Sequence, residues 1–301
     1  MDRNDTKELM VTIWCITYNH EPYIRQCLES FVMQNTNFRF EAIVHDDAST
    51  DGTTEIIKEY ANKYPDIIKP IFEFENQYSK RDGSIERIMI KHMRGKYVAM
   101  CEGDDYWIDP FKLQKQVDFL ECNKEYSLCF HNAVEFYEGI PKIPKVFCKI
   151  ADSRDVTLEE LIDSWIVPTA SMFLRRTVFD NYPEWTKQIY SGDLTLQLIS
   201  YDKGKIYYMN QIMSFYRKIY NGNSVSVKYA ENMSYVLEQH ALLLHLYNEY
   251  TDYRYTDVLA RRISHKEKSC LFIKYRKINL LYAFLRMPFF CFSKLRKRML
   301  K

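Results

Sequence analysis

Four short apolar runs, spaced by segments of helical period, fill the first 105 residues of this chain. Leu9 to Ile16 is almost unbroken in its apolar character, which suits a strand covered on both faces. Phe40 to His45, Ile67 to Phe72 and Tyr97 to Cys101 predict three more strands. Between them, Tyr23 to Met33 places Ile24, Cys27, Leu28, Phe31 and Val32 at helical spacing. Thr54 to Lys63 and the region Ile85 to Met93 predict two further helices. This alternation predicts an α/β doubly wound sheet with parallel strands and right-handed crossovers. In such sheets a ligand lies beyond the carboxyl ends of the strands. Three polar clusters fall at such ends: Thr17-Tyr18-Asn19, Asp46-Asp47, and Glu102-Gly103-Asp104-Asp105.

The last cluster puts three carboxylates into four residues. Carboxylates that close repel one another and are costly to bury unpaired. A divalent cation relieves both problems, and hard oxygen ligands suit Mn²⁺ or Mg²⁺. The simpler alternative is an exposed acidic turn capping the next helix, and Asp46-Asp47 alone could likewise be a helix cap. The chain has only eight glycines and neither a GxxxxGK[ST] nor a GxGxxG motif, so no glycine loop is expected to cradle phosphates. A phosphate site without such a loop needs a metal to neutralise charge. In that arrangement Asp46 or Asp47 accepts a hydrogen bond from a nucleobase N–H, and Tyr18 stacks on the base or lines its pocket.

Thr17-Tyr18-Asn19, Asp46-Asp47-Ala48-Ser49-Thr50-Asp51-Gly52-Thr53 and Glu102-Gly103-Asp104-Asp105-Tyr106-Trp107 resemble, in order and spacing, the three N-terminal motifs of family 2 glycosyltransferases. The resemblance covers about the first 120 residues. It implies a GT-A fold, a Rossmann-like and mostly parallel sheet flanked by helices, and a nucleotide-sugar donor, with uridine the typical base. It also implies that Asp104, with Glu102 or Asp105, holds the metal on the donor diphosphate. Glu102 stands where the family usually has Asp. Gly192-Asp193 opens a helix, and a carboxylate there looks like the general base of inverting members. The alternative for Asp193 is a plain N-terminal cap. Tyr216-Arg217 resembles a late segment of the family that is often followed by a His, but Ile219 to Ser226 contains none. Arg217 remains a candidate phosphate contact through its charge and planar donors.

The rest of the chain is less regular. A helix is expected from Asp109 to about Asn123, and a strand over Ser127 to Val134 that carries His131, a candidate to face the sugar or a structural histidine. Residues 138–153 read as a loop over the acceptor side. Val156 to Trp165 predicts a short helix capped by Thr157, and Pro168 to Arg176 a strand with small residues at its start. Ile206 to Met209 and Met213 to Lys218 read as two strands. These segments complete an expected GT-A catalytic domain at 1–228, with a nucleotide-sugar half at about 1–120 and an acceptor half at about 121–228.

A helical basic extension is expected at 229–301. A helix is predicted from Glu231 to about Leu246, then a tyrosine-rich hinge from Tyr247 to Tyr255. Residues 261–301 hold 13 Lys/Arg and one acid, against 29 bases and 39 acids in the preceding 260 residues. A basic segment with interspersed aromatics fits an anionic membrane surface better than nucleic acid. A solvated helix pair packed on the catalytic domain is the alternative. No apolar run approaches the roughly 18 residues that span a bilayer. The polar start, Met1 to Asp5, lacks an apolar signal region, and the eight cysteines form no CxxC pair. A reducing, cytoplasmic setting at the inner membrane face is therefore expected.

The leading expectation is a metal-dependent inverting glycosyltransferase acting on a glycan or lipid-linked acceptor in cell-surface polysaccharide synthesis. A nucleotidyltransferase making nucleotide-sugars shares the α/β plan but usually needs a Gly- and basic-rich N-terminal loop. A non-catalytic glycan-binding protein would not need all the acidic motifs together with Asp193.

Overall fold

The computed structural model of the chain describes residues 8–189, 191–219 and 232–276. The chain divides into two compact units, 1–219 and 220–301. The expected boundary at 228 and the basic segment beyond 276 lie outside the described residues.

The first unit is built on one mixed sheet whose strands lie in the order Ile68–Phe72, Arg39–Asp46, Leu9–Thr17, Tyr97–Met100, Phe173–Arg175, Tyr126–Glu138, Lys205–Ile219, Tyr106–Trp107. Its parallel part is β1 (Leu9–Thr17), β2 (Arg39–Asp46), β3 (Ile68–Phe72) and β4 (Tyr97–Met100). Helices α1 (Glu21–Val32), α2 (Thr53–Lys63) and α3 (Ser84–His92) connect these strands. The order places β1 between β2 and β4, both parallel to it. Both faces of β1 are buried: Val11, Ile13 and Cys15 join one apolar cluster with Ile24, Leu28 and Phe31 of α1, while Trp14 joins the opposite one with Met89 of α3. The alternation follows from the two-residue period of a strand. Burying each large apolar side chain contributes about 1.5–3 kcal/mol relative to exposure.

The sheet continues antiparallel through β9 (Phe173–Arg175), which pairs with both β4 and β6 (Tyr126–Glu138). β10 (Lys205–Ile219) runs parallel to β6. Where the sequence suggested two strands, one long strand crosses 205–219, with register shifts between Met209 and Ile212 and between Ile212 and Ser214. These irregularities break the apolar pattern without breaking the strand. β5 (Tyr106–Trp107), β7 (Lys145–Val146) and β8 (Arg154–Val156) are short antiparallel additions. Two further helices, α4 (Lys112–Cys122) and α6 (Gly192–Lys203), cover sheet faces, and α5 (Leu158–Asp163) starts in a capping box between Thr157 and Glu160. The expected strand at Pro168 to Arg176 is divided: Thr169–Ser171 is a 3-10 turn, and only Phe173–Arg175 is extended.

In the second unit, α7 (Met233–Tyr250) and α8 (Thr256–Arg276) are joined by a turn at 251–255. The expected hinge is thus partly helical. Tyr247 is fully buried and stacks on Tyr255 with ring centroids 5.8 Å apart. Among the described residues, no helix is long and apolar enough to cross a membrane.

Candidate active site

The three polar clusters do meet at one edge. Thr17 is level with Asp46 across the β1–β2 pair. Past the end of β4, Cys101 N–H donates to Trp14 O at 3.1 Å and Gly103 N–H to Ile16 O at 3.0 Å, which draws the acidic turn against the end of β1. Gly103 is needed for this approach, because a Cβ there would stand 2.6 Å from Thr17 Oγ1 and 3.0 Å from His20 Nδ1.

The loops after β1 and β2 are laced together. Asn19 adopts a left-handed backbone with φ 54°; its N–H donates to Ser49 Oγ at 2.9 Å and its Oδ1 accepts from Thr50 N–H at 2.8 Å. His20 N–H donates to Thr53 Oγ1, and Glu21 Oε2 accepts from Gly52 N–H, both at 2.9 Å. Tyr18 projects from this joint loop, 45% exposed.

Asp46 and Asp47 are buried within the same corner, 2% and 1% exposed. Asp46 Oδ1 accepts from Ser49 N–H at 3.1 Å, and its Oδ2 accepts from the Thr54 hydroxyl. Asp47 accepts Gln77 N–H at 2.6 Å and Tyr78 N–H at 3.0 Å, one on each oxygen. Both carboxylates therefore anchor the loops that surround the candidate donor site. These bonds from their own chain use one lone pair on each oxygen, and the second lone pair of an oxygen is what the nucleobase contact expected from sequence would use.

The cluster after β4 has the opposite character. Asp105 Oδ1 accepts Arg217 N–H at 2.8 Å, but its Oδ2 is buried and without a partner among the described residues. Burial, then the Asp104 charge, push the Asp105 carboxyl well above the usual carboxylate range, against the pull of Arg217. Burial, then repulsion from Asp193, Asp104 and Asp105 in that order, do the same to Glu102. Asp193 is also raised, by burial, while the hydrogen bond from Thr169 Oγ1 to its Oδ2 at 2.8 Å opposes the rise. The structure thus brings Asp193, from the first turn of α6, into electrostatic contact with Glu102 and Asp105. Asp104 is a quarter exposed, with His20 Nε2 4.0 Å from its Oδ2.

Arg217 is placed differently from the expected phosphate contact. It is only 9% exposed, and its guanidinium is committed to Asp104 O at 2.8 Å, Glu138 Oε2 at 2.6 Å and Gln26 Oε1 at 2.8 Å. It also lies 4.6 Å from the Tyr23 ring centroid. Arg217 is a strut that ties β10 to the acidic turn. His131 is fully buried, its Nδ1 bonded to Asn132 O at 2.8 Å, and burial holds it well below the usual histidine range; it is structural.

Among the described residues, no group of three or more His, Cys, Asp or Glu is arranged to hold a metal ion unaided. The donor set nonetheless fits a hard cation that takes one or two carboxylates and completes its shell with phosphate and water, as Mg²⁺ commonly does. Orphaned oxygens at Thr17 Oγ1 and Asp105 Oδ2, together with the raised carboxyls, mark charge and hydrogen-bonding capacity left unsatisfied at this edge.

The family model for glycosyl transferase family 2 matches residues 12–182. The chain belongs to glycosyltransferase family 2. An uncharacterised protein of Mycobacterium tuberculosis is 35% identical over 215 residues, covering 70% of this chain and 60% of its relative. The chain thus spans about 60% of the length of the curated mycobacterial relatives it matches. The Escherichia coli enzyme WfaP, a UDP-Glc:α-D-GlcNAc-diphosphoundecaprenol β-1,3-glucosyltransferase, is 33% identical over 117 residues, 39% of this chain and 43% of that one. Among solved structures, S. aureus TarS 1–349 in complex with UDP-GlcNAc aligns with a TM-score of 0.59 at 18% identity, over 90% of this chain and 82% of that TarS fragment. The mannosyltransferase PcManGT of Pyrobaculum calidifontis, in complex with GDP-Man and Mn²⁺, aligns at 0.57 and 15%, over 98% and 82%. These likenesses match the α/β GT-A fold expected from the sequence.

Several residues of this region escaped sequence reading. Thr169 carries no motif. Lys112 and Gln116 are fully buried although polar, and their i, i+4 spacing on the face that also carries Leu113, Val117 and Leu120 was the available signal.

Proposed function

We propose that this family 2 glycosyltransferase moves a sugar from a nucleotide-diphosphate donor to a hydroxyl of a glycan or lipid-linked acceptor, with inversion and with Mn²⁺ or Mg²⁺ bound. The observation that carries the reading is the gathering of Asp193 with the Glu102 to Asp105 cluster at the strand-end edge, where burial raises the carboxyls of Asp193, Glu102 and Asp105 and repulsion adds to the rise at Glu102 and Asp105.

Asp104 and Glu102 would hold the cation. Bound there, it would neutralise charge on the departing diphosphate. The joint loop bearing Tyr18 and Asn19, shaped by Asp46 and Asp47, would receive the nucleoside. Asp193 supplies the base. As the acceptor oxygen bonds to the anomeric carbon, the bond to the diphosphate breaks, the hydroxyl proton passes to the Asp193 carboxylate, and the electron pair leaves with the diphosphate. An environment that raises the carboxyl makes it a stronger proton acceptor. A single displacement inverts the anomeric centre.

UDP-sugars are favoured by the ligand of TarS and by the donor in the name of WfaP. The latter's acceptor favours a lipid-linked glycan here, within polysaccharide synthesis. The basic segment 261–301 favours a place at the inner membrane face by its charge alone. The test is a thermal-shift panel of UDP-glucose, UDP-GlcNAc and GDP-mannose with and without Mn²⁺, followed by nucleoside diphosphate release. We expect one donor to stabilise the protein only when Mn²⁺ is present, and Asp193→Asn to keep that shift while losing about a hundredfold or more of turnover. No donor-dependent shift with Mn²⁺, or full turnover in the variant, would overturn the reading.

A further inference from the structure

Among the described residues, Thr169 alone donates a hydrogen bond to the Asp193 side chain, 2.8 Å from its hydroxyl to Oδ2. It sits on the turn Thr169–Ser171, too short to satisfy its own carbonyls within a helix. Two of those carbonyls are taken by buried side chains from the end of the acidic motif and from helix α4 after it. Trp107 Nε1 donates to Ala170 O at 2.8 Å, and Gln116 Nε2 donates to Ser171 O at 3.1 Å. Lys112 joins the two donors: its Nζ donates to Gln116 Oε1 at 2.8 Å and lies 3.9 Å from the Trp107 ring centroid. Lys112, Gln116 and Ser171 are 0% exposed, Trp107 is 1% and Thr169 is 5%.

Burying an amine and an amide is costly unless their hydrogen bonds are specific. Helix α4 gains nothing from these residue types that Leu or Met would not supply. What they do achieve is to fix the turn from the side of the donor motif. We propose that Trp107, Gln116 and Lys112 hold the Thr169–Ser171 turn as a positioning device for Asp193, with Thr169 the residue that orients the carboxylate. Asp193 Oδ2 is then fixed, and Oδ1 is the oxygen left to receive the acceptor proton. Small misplacement of a reacting group can lower a rate about a hundredfold, so a single hydroxyl can matter here. The inference rests on Asp193 being the base.

The experiment uses the full chain with three readouts. These are UDP affinity with Mn²⁺ by calorimetry, melting temperature, and the rate of nucleoside diphosphate release from the panel's best donor with water as acceptor. Thr169→Val removes the donor hydroxyl at nearly constant shape, and Thr169→Ser restores it. We expect Thr169→Val to lower kcat at least tenfold with UDP affinity within twofold of wild type, and Thr169→Ser to recover to within threefold. The double variant Thr169→Val/Asp193→Asn should be no slower than Asp193→Asn alone, because the two act as one unit. Trp107→Phe removes the N–H together with part of the buried ring, so its melting temperature is read beside its rate; it should lower kcat with UDP affinity unchanged, and it carries the test if Thr169→Val does not fold. Wild-type turnover in a folded Thr169→Val, or in Trp107→Phe, with Asp193→Asn inactive, would overturn the positioning role and leave the base assignment standing. Wild-type turnover in Asp193→Asn would overturn the base assignment and the inference with it.

Discussion

Two acidic clusters stand at strand ends on either side of β1, and they are built in opposite ways. At the end of β2, Asp46 and Asp47 have every carboxylate oxygen accepting from a backbone N–H or a hydroxyl of the chain. Past β4, Glu102, Asp104 and Asp105 crowd with Asp193, an oxygen of Asp105 has no partner, and the Glu102 and Asp105 carboxyls are raised by burial and repulsion. The first pair is partnered on every oxygen and shapes loops. The second group is frustrated, and frustration that survives in a packed corner marks a place where a ligand completes the structure. The residue types alone do not separate the two; the source of their hydrogen-bond donors does.

The contrast can be broken by substitution. Asp47→Ala should lower stability by about 3 kcal/mol, because two buried backbone N–H groups lose a charged acceptor. Chemical denaturation would measure it, and a change under about 0.5 kcal/mol would contradict the anchoring role. A smaller effect, of opposite sign, is expected at Glu102. Its raised carboxyl means that the folded state keeps the proton to higher pH than the unfolded chain. The metal-free protein should thus hold this contribution below the ordinary value of 4.5 and lose it as pH rises through the raised value. Glu102→Gln should flatten that loss and stabilise the metal-free protein at neutral pH by about 1 kcal/mol. Melting curves across pH would check it; a variant less stable than wild type at pH 7 would count against the crowding.

Much of the parallel half was legible in sequence, because β1, β2 and β4 are largely buried on both faces and each polar cluster marks a strand end. Leu9 to Thr17 and its neighbours needed no tertiary information. The acceptor half was harder to read. β10 looked like two strands because its register shifts place Asn210, Gln211 and exposed Ile212 in mid-strand. The small residues after Pro168 suggested a strand, yet they form a turn whose carbonyls are satisfied by Trp107 and Gln116, more than 50 residues away in sequence. Arg217 was assigned by charge, but its partners Gln26, Asp104 and Glu138 converge only in the fold. Sequence pattern shows which groups reach the site edge; it does not show which of them are already occupied.

The central claim is that the cluster past β4 holds the metal and donor diphosphate. Calorimetric titration of UDP into wild type and Asp104→Ala, each with and without Mn²⁺, tests it directly. The account predicts that Mn²⁺ strengthens UDP binding in wild type and that Asp104→Ala loses at least tenfold of that gain while melting as the wild type does. A folded Asp104→Ala that keeps the full Mn²⁺-dependent gain would contradict it.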